Sequence, residues 1–595
     1  MKKALVVLLL IASCYIIQFS CKQPTSSVEA IKELLGNQVN DWKKYLADTL
    51  LVLSGKATST DSLRASFLHA RVLYKKIEWF TEYFMPTTTR FVNGPPLPEV
   101  EIEENKIYPP EGLQVIETLL YPAFDTVNKA ELIRQVKLLI SSAHNYQSYL
   151  TDLSFSDSHI FDALRLQVFR IITLGISGFD APLAKSSLSE AEISIQCLRK
   201  VLKQITSTTN EWKQLDKAFD KALTYLAEHK TFDEFDRLTF IAEHANALSK
   251  LLAQLQKSMR VGYVTDSRML VPQAQTMFEE GVFDVNALVV DSQYNLTEAK
   301  ARLGEKLFND NILSGNSTRS CASCHQPVKA FTDGLPKSVS FTNGHTRRNA
   351  PTLLNAALQP VQFYDMRAST LENQAFDVIN NKDEMHGSLD KAFIKINKDT
   401  SYVNLIREAF PGQSQVNVQH LQNALGSYIR TLVKLNSRFD EFMRGDKTQL
   451  NQEERLGFNL FMGKAKCGTC HFMPLFNGTV PPMYRKMDSE VLGVPATKEG
   501  KQLDDDPGRY AMTALEPYRN AFKTTTVRNA ALTAPYMHNG VFNTLNEVIA
   551  FYDNGGGSGL GFKIENQTLP TDKLRLSKQE IKALVAFIHS LSDKP

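Results

Sequence analysis

Apolar residues recur at helical spacing over residues 27–265, for example at Leu132, Val136 and Leu139. This period is typical of amphipathic helices whose apolar faces pack against one another. A proline-rich stretch at 86–111 interrupts the pattern. We therefore predict an N-terminal helical bundle over residues 27–265.

The second half of the chain contains an internal repeat. The pattern Arg-Leu-Gly-x-x-Leu-Phe occurs at residues 302–308 and again at 455–461. Two copies of one segment indicate a duplicated unit. We predict two helical subdomains, over residues 283–440 and 441–595.

Cap residues mark the starts of helices in this half. Thr297 stands at the N-cap of the first repeated helix. Asn451 with Glu454, and Ser577 with Glu580, have the spacing of capping boxes. These pairs predict a helix start at the second repeat and another near the end of the chain.

The composition excludes several classes of protein. The 595 residues include 67 basic and 64 acidic side chains, so the net charge of +3 gives no reason to expect nucleic-acid binding.

Residues 1–21 combine Lys2 and Lys3 with a short apolar run, as an export signal does. Cys21 resembles the lipid-bearing cysteine of a bacterial lipoprotein, and Cys14 is the alternative. We expect a periplasmic protein anchored to a membrane through a lipid on Cys21, or one that is soluble after cleavage of a plain signal.

Each repeated segment leads into a Cys-x-x-Cys-His motif. The two motifs consist of Cys321, Cys324 and His325, and of Cys467, Cys470 and His471. This motif attaches c-type haem: the thiols bond to the vinyl groups and the histidine ligates the iron. A redox dithiol, a zinc site and a disulfide are the alternatives, but there is no βαβ pattern and the pairs lie about 140 residues apart. We predict two covalent haem c groups and a mainly α fold, in which the helical bundle precedes two cytochrome c-like haem subdomains.

Residues 283–595 resemble bacterial di-haem cytochrome c peroxidases and MauG-type proteins. The segments that carry the resemblance are residues 320–325, 330–334, 348–352, 363–367, 384–385 and 534–540. The resemblance implies that the first haem reacts with peroxide and that the second receives electrons. It also implies that Glu384 is the distal acid/base and that Gln374 lies in the distal pocket. The alternative for Glu384 is an exposed loop charge.

Two positions depart from the peroxidases. They have a tryptophan between the haems, where this chain has Tyr364, and a methionine ligand on the second haem, where it has Tyr552. MauG-type proteins use a tyrosine as that ligand, and a phenolate lowers the potential of the iron. Each tyrosine could instead be a packing residue. His345 resembles a loop histidine that ligates the first haem in resting enzymes, or it is an exposed residue.

The resemblance further implies a calcium ion at Asn349, Thr533 and Pro535, the last two acting through carbonyl oxygens. In the bundle, Gly112 to Glu117 faintly resembles a Gly-x-His-x-x-Glu motif of imelysin-like proteins, but Gln114 replaces the histidine. Metal binding there is therefore not expected.

We expect a peroxidase that reduces hydrogen peroxide to water with electrons from a small c-type cytochrome or a similar periplasmic donor. One alternative is a MauG-like enzyme that oxidises a partner protein through a high-valent iron state. Another is an electron carrier or peroxide sensor without turnover. An exchangeable ligand site on the first haem would separate the enzymes from a pure carrier.

Overall fold

A computed structural model describes residues 27–56, 59–102, 104–266, 268–413 and 416–594. The predicted export signal and Cys21 lie outside these residues. The fold is mainly helical, as the sequence predicts. No helix in the described ranges is long and apolar enough to cross a membrane.

The N-terminal region is a helical bundle with one small hairpin. Its helices are α1 Ser27–Tyr45, α2 Leu51–Gly55, α3 Thr60–Lys75, α4 Glu78–Phe84, α5 Pro86–Asn93, α6 Leu113–Leu120, α7 Lys129–Asp152, α8 Asp157–Arg170, α9 Ser187–Ile205, α10 Asn210–Glu228, α11 Arg237–Thr239 and α12 Asn246–Ser258. Strands β1 Glu99–Glu101 and β2 Lys106–Tyr108 pair antiparallel within the proline-rich stretch. π-Helical turns at Leu46–Leu50, Ile171–Gly175 and Phe240–Ala245 continue α1, α8 and α11.

The two C-terminal subdomains are built from shorter helices. The first contains α13 Glu298–Asn309, α14 Leu371–Asn380, α15 Leu389–Ile396, α16 Thr400–Ala409 and α17 Val418–Arg430, and α18 Arg438–Arg444 follows it. The second contains α19 Gln452–Met462, β3 Ser489–Val491, α20 Tyr510–Thr513, β4 Ala521–Lys523, α21 Leu545–Asp553, α22 Gly556–Gly559 and α23 Lys578–Ser590. Strands β3 and β4 pair antiparallel. The capping boxes at Asn451 and Ser577 are present, and Thr297 caps α13.

The repeated glycine explains why the repeated segment has its sequence. A methyl group on Gly304 would lie 1.9 Å from the carbonyl oxygen of Ala424, where α13 crosses α17. A methyl group on Gly457 would lie 1.9 Å from the carbonyl oxygen of Ala583, where α19 crosses α23. Only glycine permits these close helix crossings. The same crossing therefore organises both subdomains.

A second pair of equivalent residues joins the subdomains to each other. Asn355 and Asn529 each begin an Asn-Ala-Ala-Leu turn in the left-handed region, with φ of 59° and 60°. Both side-chain amides donate to the Asp593 carboxylate, each over 2.8 Å. The end of the chain thus ties together two turns related by the repeat.

The bundle packs directly on the second subdomain. One buried hydrophobic cluster contains residues of both regions, whereas the first subdomain has a separate core. Phe179 of the bundle meets Phe472 edge to face, with ring centres 5.8 Å apart. The Leu238 amide donates to Asn459 Oδ1 over 3.0 Å, and Asn459 Nδ2 donates to Asp236 Oδ1 over 2.9 Å. The division at residue 265 follows the chain, but the core continues across it.

Candidate functional site: two haem attachment sites

The first Cys-x-x-Cys-His motif forms a short turn after α13. Residues Cys321–Ser323 make one 3₁₀ turn, capped reciprocally by the Ser320 and Ser323 side chains. His325 Nδ1 donates to the carbonyl oxygen of Phe331 over 3.0 Å. This bond leaves Nε2 free as the ligating atom. Burial lowers the pKa of His325, which keeps the ring neutral.

The second motif repeats this arrangement. Residues Cys467–Thr469 make the turn, and His471 Nδ1 donates to the carbonyl oxygen of Thr525 over 3.0 Å. Burial lowers the pKa of His471 to about 4. The two histidines are therefore held in the tautomer that an iron ligand requires, each by a backbone carbonyl.

The four motif cysteines fit haem attachment better than the alternatives. All four are free thiols, and burial raises the pKa of Cys321 and Cys467 to about 12. A redox dithiol needs a lowered pKa instead. Among the described residues, no group of three or more histidine, cysteine, aspartate and glutamate side chains could hold a metal ion. Each neutral thiol pair beside one neutral imidazole matches the donor set of a c-type haem.

Glu384 lies close to the first motif. Asn381 Nδ2 donates to Glu384 Oε1 over 2.8 Å, and burial raises the pKa of the carboxyl to about 7. Arg367 opposes this shift but does not cancel it. Glu384 is near enough to Cys324 to raise the pKa of that thiol, although burial contributes most. The carboxyl can thus both take up and release a proton near neutral pH.

Arg319, just before the first motif, holds the Glu384 loop in place. Its guanidinium donates to the carbonyl oxygens of Glu384 and Val339, each over 3.1 Å. No local sequence pattern indicates this role of Arg319, because the loop that it contacts is distant along the chain. Gln374 lies half-buried on α14, and its place in a distal pocket stays a prediction. Arg367 stands over the Phe363 ring, 3.4 Å from its centre.

Tyr364 lies where the two subdomains meet. Its hydroxyl donates to Asn349 Oδ1 over 2.5 Å, and burial raises the pKa of the phenol. Its carbonyl oxygen accepts from the Lys523 amide of β4 over 2.7 Å. The residue is therefore fixed between the subdomains, and its role as an inter-haem aromatic residue stays a prediction.

Two of the predicted calcium ligands, Asn349 and Pro535, are in contact, and the oxygen of each already accepts a hydrogen bond. Asn349 Nδ2 donates to the Pro535 carbonyl oxygen over 3.1 Å, while its Oδ1 accepts from Tyr364. The Thr533 hydroxyl bonds to Ala530. This arrangement needs no ion to hold it, so calcium stays a prediction.

His345 is exposed on its loop, where Nδ1 donates to the Lys337 carbonyl oxygen over 3.1 Å. This is the surface position that was the alternative to ligation, and its role in a resting enzyme stays a prediction. His538 Nε2 contacts Asp504 Oδ1 over 3.0 Å, and its ring stacks on Phe522 at 3.7 Å. The His538 carbonyl oxygen accepts from the Asn349 amide over 2.9 Å, which links the two subdomains.

Tyr552 on α21 lies near the second motif. Burial raises the pKa of the phenol, and the nearby thiols of Cys467 and Cys470 raise it further. Glu490 on β3 is a buried carboxyl hydrogen-bonded to Cys470 and Thr568, and burial raises its pKa to about 7. Tyr552 therefore lies near the thiols of the second motif, and its role as an iron ligand stays a prediction.

In the bundle, Gln114 Nε2 donates to the Asn93 carbonyl oxygen over 3.0 Å. Glu117 accepts from the Leu183 and Ala184 amides over 3.1 and 2.6 Å. Both side chains are buried and serve packing of the bundle.

Comparisons with known proteins agree with this geometry. A family model described as di-haem cytochrome c peroxidase matches residues 298–448. The cytochrome-c peroxidase IdrP2 of Denitromonas iodatirespirans is 33% identical over 325 residues, covering 50% of this chain and 85% of that protein. The methylamine utilization protein MauG of Methylorubrum extorquens is 32% identical over 300 residues, covering 50% of this chain and 80% of that protein.

A third relative, the cytochrome c551 peroxidase of Pseudomonas aeruginosa, is 31% identical over 303 residues and also covers 50% of this chain and 80% of that protein. Among solved structures, a MauG-like protein associated with microbial copper homeostasis is 29% identical, with a TM-score of 0.46. That match covers 51% of this chain and 92% of that chain.

Proposed function

The chain belongs to the di-haem cytochrome c peroxidase and MauG family, and we propose that it reduces hydrogen peroxide to water with electrons from a small c-type cytochrome. The proposal assigns the peroxide reaction to the first haem site and the uptake of electrons to the second. The neutral histidines, the four free thiols and the buried carboxyl near Cys324 support it.

Two haem c groups are part of the proposal. Cys321 and Cys324 would hold the first through thioether bonds, and Cys467 and Cys470 would hold the second. His325 and His471 would be the proximal ligands. When bound, each haem supplies an iron that exchanges single electrons, and the first also offers peroxide an open coordination site.

Glu384 carries the proposed chemistry. In its carboxylate form it would take the proton from the oxygen of peroxide nearer the iron, and it would return that proton to the oxygen that leaves as water. Its pKa of about 7 suits both transfers at neutral pH. This half-buried carboxyl beside the first motif, with its raised pKa, is the single observation on which the reaction assignment depends. Gln374 would orient the bound peroxide through its amide.

Tyr364 and Tyr552 would control the electrons. Tyr364 lies at the junction and is the aromatic residue through which electrons would pass from the second subdomain to the first. Tyr552 would ligate the second iron as a phenolate, which stabilises the ferric state. The raised pKa of the free phenol means that the metal must displace its proton.

Cellular location and the calcium ion also belong to the proposal. Covalent attachment retains haem in an exported protein, which supports a periplasmic enzyme anchored through Cys21. Acyl-chain analysis of the purified N-terminal peptide tests the anchor. Calcium at Asn349, Thr533 and Pro535 is tested by metal analysis after dialysis against a chelator.

Tyr552 favours one alternative, a MauG-like enzyme that oxidises a side chain of a partner protein. Tyr364 weighs against it, because loss of an electron from tyrosine releases the phenol proton. A carrier or sensor without turnover is the third candidate, and Glu384 argues against it, since neither role needs a buried acid/base group.

Stopped-flow mixing of the haem-loaded protein with peroxide and a reduced small cytochrome c separates these functions. Sustained cytochrome oxidation, linear in enzyme concentration, is the expected result. One rapid conversion to a long-lived oxidised protein, without turnover, would instead support the MauG-like alternative. No reaction of either kind would leave only a carrier or sensor.

A further inference from the structure

Lys523 ends strand β4 and is buried between the two subdomains. Only 9% of the residue is exposed. Its backbone amide donates to the Tyr364 carbonyl oxygen over 2.7 Å, and its Nζ donates to the Val361 carbonyl oxygen over 3.3 Å. The lysine of the second subdomain therefore reaches into the loop of the first subdomain that carries the inter-haem tyrosine.

This ammonium group has too few partners for its depth. A lysine can donate three hydrogen bonds, and Nζ makes a single long one to a neutral carbonyl. No ion pair includes Lys523 in the part of the chain that the structure describes. A buried ammonium without a counter-ion is strongly unfavourable. Burial accordingly lowers its pKa to about 7.

The neighbouring carboxylates are already paired. Asp365 accepts from Arg348 over 2.7 Å and from Arg367 over 2.9 Å. Asp506 accepts from Arg348 over 2.8 and 2.9 Å, and Arg347 lies 3.2 Å from it. Asp365 opposes the lowering of the Lys523 pKa, but its oxygens accept from two arginines, so among the described residues no carboxylate is hydrogen-bonded to the Lys523 ammonium.

The position of Lys523 indicates which anion would pair with its ammonium group. Lys523 is two residues from Thr525, whose carbonyl oxygen holds the proximal His471, and it is bonded to Tyr364. It therefore lies between the second haem site and the residue proposed to link the haems. Each haem c carries two propionate groups, which are carboxylates on the edge of the ring that bears no thioether bond. A propionate supplies the charge and the acceptor oxygens that Nζ lacks.

We propose that Lys523 binds a haem propionate at the subdomain junction and raises the potential of that haem. This inference rests on the proposed binding of two haems. A fixed cation favours the ferrous state, because reduction removes one positive charge from the iron. Lys523 is thus a positioning residue: it acts on electron transfer through the haem edge rather than on peroxide.

The test uses the full-length, haem-loaded protein with Lys523→Met and Lys523→Arg. Spectroelectrochemical titration of each haem should show one midpoint potential lowered in K523M. At a fixed potential, the ferrous-to-ferric ratio of that haem should fall about tenfold, which is 59 mV for a one-electron couple. The propionate bending mode of the same haem should shift in the resonance Raman spectrum. K523R should restore both readouts, since it keeps the charge.

Lys501, an exposed lysine of the same subdomain, supplies the matched control. Lys501→Met should leave both potentials and the Raman spectrum unchanged. If K523M binds two haems with both potentials and the propionate mode as in the wild type, the inference is wrong. If the wild-type protein itself lacks two haems by pyridine haemochrome assay, the proposed function fails instead. If K523M loads fewer haems, K523Q, which keeps a hydrogen-bond donor without the charge, takes its place under the same criteria.

Discussion

In the first haem-binding subdomain, the residues after the Cys-x-x-Cys-His motif lie at the surface, whereas the equivalent residues of the second are buried. Pro327, Val328 and Lys329 are exposed, and Val328 is 92% exposed. Residues 472–479 are all buried, and Phe472 packs under Phe179 of the bundle. The duplicated scaffold therefore leaves the edge beside the first motif open, whereas the bundle covers the equivalent edge beside the second.

The two subdomains also differ in the side chain that lies near each motif. The first subdomain places the carboxyl of Glu384 there, which can move protons but is poorly suited to be a permanent ligand. The second places the phenol of Tyr552 there, which can close the coordination of iron. Glu384 lies in a loop and Tyr552 lies on α21, so segments outside the repeated helices supply both residues.

The largest effect is expected from replacing Glu384, the proposed acid/base group of the first subdomain. Glu384→Gln keeps the shape and loses the proton carrier, so kcat/KM for peroxide should fall about 100-fold or more. Steady-state oxidation of a reduced cytochrome c measures it. Asp390→Asn, at an exposed carboxylate of α15, should stay within about twofold of the wild type. A similar rate in E384Q would remove Glu384 as the acid/base.

The repeated glycines test the shared scaffold. Gly304→Ala and Gly457→Ala should each lower the free energy of unfolding by about 3 kcal/mol, since each methyl group would collide with a backbone carbonyl. Urea unfolding measures both. Gly36→Ala in α1 meets no atom within 4 Å and should be neutral or stabilising. Unequal losses at the two glycines would show that the two crossings are not equivalent.

The next effect concerns Tyr552, the proposed ligand of the second haem. Tyr552→Phe should raise the midpoint potential of the second haem and change its ferric absorption spectrum, because an anionic ligand is lost. The first haem should be unaffected. Tyr518→Phe in the same subdomain should change neither property. A ferric spectrum of the second haem that is identical in Y552F and wild type would exclude Tyr552 as its ligand.

The smallest effect concerns the contact between the helical bundle and the second subdomain. Asn459→Ala removes two hydrogen bonds to the bundle and should lower the free energy of unfolding by about 1 to 2 kcal/mol. Asn309→Ala, whose amide bonds only to Glu305 of its own helix, should cost less. Thermal unfolding of both variants compares them. An equal change would mean that the bundle contact contributes little to stability.

Local signals predicted much of this molecule. The caps at Thr297, Asn451 and Ser577 act over three residues, and each is confirmed. The haem motifs are equally local, since the ligands and attachment points lie within five residues. Membership of the family was predicted from short segments around the two motifs, such as residues 320–325 and 534–540.

Contacts between distant segments could not be predicted in this way. Leu238 and Asn459 are 221 residues apart, and neither stands in a pattern that indicates a partner. Lys523 follows two residues of an ordinary strand, and its missing counter-ion is visible only once Asp365 and Asp506 are seen to be paired. Such residues become informative only through their burial.

The central assignment is tested most directly by the pH dependence of one rate constant. This is the rate constant for the reaction of the wild-type protein with peroxide. Glu384 must be deprotonated to take the first proton, and burial raises its pKa to about 7. The stopped-flow rate constant should therefore rise with pH through one ionisation near 7 and level off above it. A rate constant that is flat between pH 5 and 9, or that falls as pH rises, would contradict Glu384 as the base of the first haem site.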